Sequence, residues 1–385
     1  MDRIVSDLED RGQGAVAGAL TMHQWIKAVE STSASVSTLC LTSSIKDEAI
    51  NAWPDAFNFA NDDGHCQRIA VMLDRLLKYG GNGCRAVRNL AGQLFARNPQ
   101  GAFGELFAYD WLVRADLKPE MQIALGAKDV LSKNGSQLDG AFIIEGTKIY
   151  FDVKSFGLNG YLANALKNNL ERLLPGKRVH IEGSWDVPLK SFEAMMERTE
   201  QIADALRTNN TYCSGPVHIR SESIKPVAFS SRCMDPYSLA EENASYAFKY
   251  AKQFTKNGPF ILIFVVHPWL GGSDIHNNYA DFGAIFTRSF ARRTFLQFRH
   301  DTRPVCNLAT KAEGSTVADA GRLLSGLSFL NAWPATKSSD NTSKQSSWLY
   351  TNPLAKHRFD GIRLCEYLQG KVAMPRVDDF LHDIY

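Results

Sequence analysis

The chain has 385 residues, a net charge of only +2, and 44% hydrophobic and 22% charged residues. That is the composition of an ordinary globular protein long enough for two or three domains or one elaborated domain. A global charge so close to neutral excludes any argument for nucleic-acid binding from overall basicity, so a phosphate-binding surface has to be a local patch. No apolar run approaches the ~18 residues of a membrane span, and the first residues, MDRIVSDLEDRGQG, lack the apolar centre of a signal peptide. The seven cysteines are scattered with no CxxC pair, which reads as reduced thiols in a cytoplasmic protein rather than a zinc site or a disulfide framework.

Residues 1–98 read as a mainly helical region. Helices are predicted over Gln24–Glu30, Ile69–Tyr79 and Ala86–Ala96, with Ile69, Leu73, Leu76 and Leu77 at helical spacing and a break at Tyr79-Gly80-Gly81-Asn82-Gly83. The stretch Ser31–Ser44 is a short strand or a loop. Gly12, Gly14 and Gly18 follow no strand and miss the spacing of a dinucleotide loop. From Gly101 a helix carries the apolar stripe Phe103, Leu106, Phe107 and Trp111, with Glu105 in its first turn and off that stripe. Met121–Leu125 reads as a short strand.

The stretch Gln137–Gly157, QLDGAFIIEGTKIYFDVKSFG, is the chemical centre of the sequence. Two apolar-rich runs meet at Glu145-Gly146, and a glycine there supplies the positive φ that two-residue hairpin turns need. Counting outward from Ile144 opposite Thr147 sets Asp139 opposite Asp152. Strand alternation puts Lys154 on the face of Asp152, while Ile149, Phe151 and Val153 point the other way. Two carboxylates held that close repel unless positive charge lies between them. Hard divalent cations prefer carboxylate oxygen, and an ammonium nearby can hold the attacking water. The plain alternative is a solvated strand face bearing a surface ion pair.

After the hairpin, helices are predicted over Tyr161–Leu174, Leu189–Leu206 and Asp235–Lys256, and strands over Arg178–Glu182, Val217–Arg220 and Lys225–Phe229. The apolar run Pro259–Val266 has the look of a central strand covered on both faces. His267 at its end reads as a polar strand terminus. Ala280–Arg303 interleaves Arg288, Arg292, Arg293, Arg299 and Arg303 with phenylalanines. This is both an amphipathic helix and a clustered-arginine surface suited to phosphates. Ser325–Trp333 and Ser347–Asn352 read as a late hairpin around the polar loop Ala335–Ser346.

Asp139 followed by Asp152-Val153-Lys154 resembles the signature of the PD-(D/E)XK nuclease superfamily, with Leu138 where the proline usually stands. The resemblance covers roughly Gly101 to Pro268. It implies an α/β (α+β) fold with a restriction endonuclease-like core: a mixed central β-sheet flanked by helices, a helical N-terminal region and a C-terminal extension. The implied division is 1–98, a nuclease core over 99–270 with an inserted segment at about 175–232, and an extension over 271–385 packed on the core. The implied chemistry is Mg²⁺-dependent hydrolysis of DNA, Mn²⁺ substituting, with 5′-phosphate and 3′-hydroxyl products. Asp139, Asp152 and Glu105 would hold metal, Val153 would add its carbonyl, and Lys154 would orient the water. Lys249, Lys252 and Gln253, together with Arg288, Arg292 and Arg293, are the expected nucleic-acid contacts. The extensions point by analogy to restriction or anti-phage defence. A homodimer is the expectation for a double-strand cut. With no P-loop in the chain, translocation would fall to a protein partner. The rival readings are a binding or scaffolding module on the same fold, and a nuclease for RNA or branched DNA.

Overall fold

The computed structural model describes residues 72–93, 99–156, 166–182, 194–223, 235–266, 282–332, 347–368 and 375–383, apart from residues 74, 77, 80–82, 168, 216 and 310. The predicted helix Gln24–Glu30, the stretch Ser31–Ser44, the strand Lys225–Phe229, His267 and the loop Ala335–Ser346 lie outside these residues. By contact density the chain falls into two units. One comprises the chain up to Ser155, Ala247–Val265 and Phe295–Tyr385; the other comprises Phe156–Tyr246 and Val266–Thr294.

The first unit is a mixed α/β structure built on a seven-stranded sheet. Helices α1 (Gly83–Gln93) and α2 (Pro99–Arg114) precede strands β1 (Glu120–Leu125), β2 (Ser136–Ile144) and β3 (Thr147–Phe156). Proline at the first position of α2 costs nothing, since its missing N–H has no partner in a helix's first turn. The helix therefore begins earlier than its apolar stripe suggests, and Glu105 sits in the second turn, away from the dipole of the N-terminus. The turn joining β2 to β3 has positive φ at both Glu145 (48°) and Gly146 (80°), as a two-residue hairpin of that type requires. The ladder runs in the expected register, from Ile144↔Thr147 to Gly140↔Phe151.

The sheet order is β1-β2-β3-β7-β8-β9-β10. Here β7 is Phe260–Val266, β8 Gly326–Asn331, β9 Ser347–Thr351 and β10 Pro375–Asp378. Strands β8 and β9 pair antiparallel, while β9 and β10 pair parallel. Every residue of β7, β8 and β9 is buried, so the middle of the sheet is covered on both faces. The residues after 271, expected as an extension packed on the core, instead supply three of the seven strands. Strand β7 needs a partner at each edge: β3 provides one, and β8, from this segment, provides the other. Helix α6 (Gly361–Leu368) packs beside β9 and β10.

In the second unit, β4 (Lys177–Glu182), β5 (Thr211–Ser214) and β6 (Val217–Ser223) form a separate antiparallel sheet in the order β4-β6-β5. One face packs Val179, Val217 and Ile219 against Leu166, Leu170, Ile202 and Leu206, the last two from helix α3 (Thr199–Asn209). Strand β5 is an addition to the sequence reading, which placed no element between the helix ending at Leu206 and the strand Val217–Arg220. Helix α5 (Phe282–Leu296) buries Phe286 and Phe290, as its phenylalanine spacing predicts.

The predicted helix Asp235–Lys256 is two elements. Helix α4 (Pro236–Glu242), capped by the Asp235 carboxylate on the Tyr237 and Ser238 N–H groups, stops at Asn243. The Asn243 side-chain amide donates to the Leu239 carbonyl at 2.9 Å, taking an acceptor the next turn would need. The chain resumes as a 3-10 helix over Tyr246–Gln253.

Candidate active site

Asp139, Asp152, Lys154 and Glu105 come together in the first unit. The β2–β3 register, carried one residue beyond Gly140↔Phe151, sets Asp139 level with Asp152. Instead of a further ladder pair, Asp139 Oδ2 accepts a hydrogen bond from the Val153 N–H at 2.6 Å. Asp152 is fully buried, and its Oδ2 is ion-paired with the Lys154 ammonium. Glu105 faces the same group from α2, and Tyr109, one turn on, donates its hydroxyl to the Asp139 carbonyl oxygen at 2.6 Å. Residues four apart on a helix share a face, which was the available clue to Tyr109. Asp110, the other acid of that helix, is taken up elsewhere: it is buried and ion-paired with Arg75 and with Arg114.

The backbone around Asp139 is irregular on both sides. Gln122, the β1 position facing Asp139 in the register of that pair, has φ 55°, a left-handed conformation that strands rarely hold. Gly140 is hemmed in by the neighbouring strands. A Cβ there would lie 2.4 Å from the Glu120 oxygen and 2.6 Å from the ring of Phe151, so only glycine fits.

The 3-10 helix completes the group. With three residues per turn and ~2.0 Å rise, positions i and i+3 lie on one line about 6 Å apart. Alternate residues of a strand are separated by about 6.6 Å. Tyr250 and Gln253 therefore match Lys154 and Asp152. The Tyr250 ring lies 5.4 Å from the Lys154 ammonium, and Gln253 Nε2 donates to Asp152 Oδ1 at 3.0 Å. An α-helix rises only ~4.5 Å in three residues and turns those positions apart. Gln253, expected among the nucleic-acid contacts, is buried and held at the acids, and its Oε1 has no hydrogen-bond partner among the described residues. Lys249 and Lys252 are partly exposed on the same helix. In the second unit Arg288 and Arg292 are exposed, and Arg293 pairs with Glu241 at 3.1 Å.

Burial dominates the electrostatics. It lifts Glu105 to about 7, with Lys154 opposing and Asp152 reinforcing the rise. It pushes Asp139 well above the usual carboxylate range, helped by the charges of Asp152 and Glu105. Burial acts to lower the Lys154 pKa, but the surrounding acids outweigh it and hold the ammonium above its ordinary value. If all three carboxyls ionise, they outnumber the single ammonium by two charges. The donors are hard oxygens, the chemistry that suits Mg²⁺ or Mn²⁺. Their present spacing is another matter: among the described residues, no three His, Cys, Asp or Glu side chains converge closely enough to hold a metal ion. The acids are engaged with Lys154, Gln253 and the Val153 N–H, and would have to turn toward one another to share a cation.

Comparison with family models, with curated proteins and with solved structures gave no match. Among the described residues, no helix is long and apolar enough to cross a membrane.

Proposed function

We propose that the chain is a metal-dependent nuclease of the PD-(D/E)XK type, with a restriction endonuclease-like core, that hydrolyses phosphodiester bonds in DNA. The observation that carries this reading is the gathering of one fully buried acid, two half-buried acids and one lysine around a distorted strand pair. Acids gathered in such excess, two of them displaced from their ordinary pKa, are typical of groups set for chemistry rather than for stability. Backbone strain beside them points the same way.

Asp139, Asp152 and Glu105 would hold Mg²⁺ or Mn²⁺, with the Val153 carbonyl and Gln253 Oε1 as further oxygens. The ion, when bound, polarises the phosphoryl oxygen and stabilises charge on the leaving oxygen. Lys154 keeps its proton and donates hydrogen bonds to the water or to a phosphate oxygen. Tyr250 and Gln253 fix the reach of Lys154 and Asp152, and Tyr109 fixes the backbone of Asp139. The lysines of the 3-10 helix and the arginines of α5 are suited to backbone phosphates, and a second copy would supply the second cut of a duplex. Restriction or anti-phage defence remains an inference by analogy.

The test is incubation of purified protein with plasmid, linear and single-stranded DNA in Mg²⁺, Mn²⁺ or EDTA, beside Asp152→Asn. Metal-dependent cutting lost in the variant is the expected result. The separation of the acids from any shared metal position favours one rival, a binding module on the same fold. DNA binding by both proteins without cutting, in every metal, would establish that rival and overturn the nuclease.

A further inference from the structure

Beside the acids lies a second charged feature that their chemistry does not use. The loop 126–135 between β1 and β2 is strapped from two directions. On one side Val130 bridges Thr255, the Lys256 N–H donates to the Asp129 carbonyl at 2.7 Å, and the Ser132 N–H donates to the Lys252 carbonyl at 3.1 Å. On the other side Ser132 bridges Ala312, and the Glu313 N–H donates to the Leu131 carbonyl at 3.0 Å. Ser132 thus ties Lys252 and the segment beginning at Lys311 to one buried point, and Lys252 is the immediate neighbour of Gln253.

The lysines around this point differ in their partners. Lys154 is neutralised by Asp152, and Lys133 by Glu313 at 3.0 Å. Among the described residues, neither Lys252 nor Lys311 makes a salt bridge. The Lys252 pKa is lowered, first by burial and then by the charges of Lys311 and Lys154, with the Asp152 carboxylate opposing. Two lysines whose backbones are held on one hydrogen-bonded frame, neither in a salt bridge among the described residues, repel each other, and a bound anion would relieve that repulsion. A phosphate beside the acid site is that anion.

We propose that Lys252 and Lys311 clamp a backbone phosphate next to the one presented to the acids, so that the substrate is a nucleic-acid strand with consecutive phosphodiesters rather than an isolated phosphate ester. This rests on the nuclease reading for the identity of the attacked bond, but the clamp itself is a binding claim. Lys311 was not among the expected contacts, because nothing in its local sequence links it to a helix sixty residues earlier.

The experiment is fluorescence anisotropy of a labelled single-stranded DNA 20-mer, in EDTA, across a series of salt concentrations. The proteins are wild type, Lys252→Gln, Lys311→Gln, the double variant, and Lys118→Gln, an exposed lysine elsewhere that controls for net charge. Each clamp lysine should reduce the slope of log Kd against log salt by about 1, while Lys118→Gln leaves it unchanged. An unlabelled trinucleotide with two phosphodiesters should compete at least several-fold better than a dinucleotide with one. An RNA 20-mer of the same sequence shows which sugar is accepted. Thermal melts of the variants should stay at or above wild type, since each removes repulsion. An unchanged slope in the double variant, or no binding by wild type, overturns the clamp. A lysine-dependent slope in a protein that never cuts DNA would leave the clamp standing and overturn only the nuclease.

Discussion

The two sheets of this protein put charge on antiparallel strands in opposite ways. On the small sheet, β4-β6-β5, the apolar residues face α3 and its neighbours. The charged ones face solvent, where His180 Nε2 meets Glu222 at 2.7 Å. On the large sheet the D-x-K pair of β3 is enclosed, with Asp152 out of contact with water and Glu105 brought against it from α2. The Glu222 carboxyl is held below its usual range by His180, while the Glu105 and Asp139 carboxyls are pushed above theirs. The same kind of side chain is stabilised as an ion on one sheet and penalised as an ion on the other. Burial, more than partner, decides which.

The largest departure should come from Lys154→Met. It leaves the buried Asp152 without its cation, a loss of about 3–5 kcal/mol when one partner of such a pair is removed. Urea unfolding near neutral pH measures it, and part of the loss should return at pH 5, where Glu105 holds its proton. Next comes Glu105 itself. Its folded pKa of about 7 lies above the ordinary 4.5 of a free glutamate, so the folded state binds the proton first. Its contribution is complete below about 4.5 and is lost as pH rises through 7, about 3 kcal/mol in all. Unfolding free energies from pH 4.5 to 8 should fall accordingly, and Glu105→Gln should flatten that fall.

Gly140→Ala should cost about 1–3 kcal/mol, because a methyl group cannot enter without moving β1 or Phe151. Gln253→Leu should cost a similar ~1–3 kcal/mol by leaving Asp152 Oδ1 without its donor. The smallest effect belongs to the other sheet: His180→Gln should leave the melting temperature unchanged within error. A large effect there would break the contrast drawn above, because solvent and salt should already screen that pair.

The hairpin was readable in the sequence because everything that specifies it is local. Alternation over Leu138–Ile144 and Ile149–Lys154 and the glycine at 146 set the turn, the register and the face shared by Asp152 and Lys154. The buried strand Phe260–Val266 was equally plain. What escaped is what depends on distant partners. Nothing near Gly326 or Ser347 says that those strands extend the sheet beyond β7. The sequence Tyr246–Gln253 is compatible with an ordinary helix, and the turn at Asn243 that lets it tighten shows only in the hydrogen bond to Leu239. That tightening turns Gln253 from a surface contact into a partner of Asp152. The left-handed Gln122 could not be foreseen either, since glutamine carries no preference for that conformation.

The position of β7 has a consequence for the chain as it is being made. In the finished sheet its seven buried residues lie between β3 and β8, yet β8 is encoded some sixty residues downstream. At the roughly 5–20 residues per second of protein synthesis, an apolar strand waits several seconds as a raw edge. During that wait FILIFVV can pair with another nascent chain as readily as with its own future neighbour. Ribosome-associated chaperones should therefore decide the yield of this protein in the cell more than its final stability does.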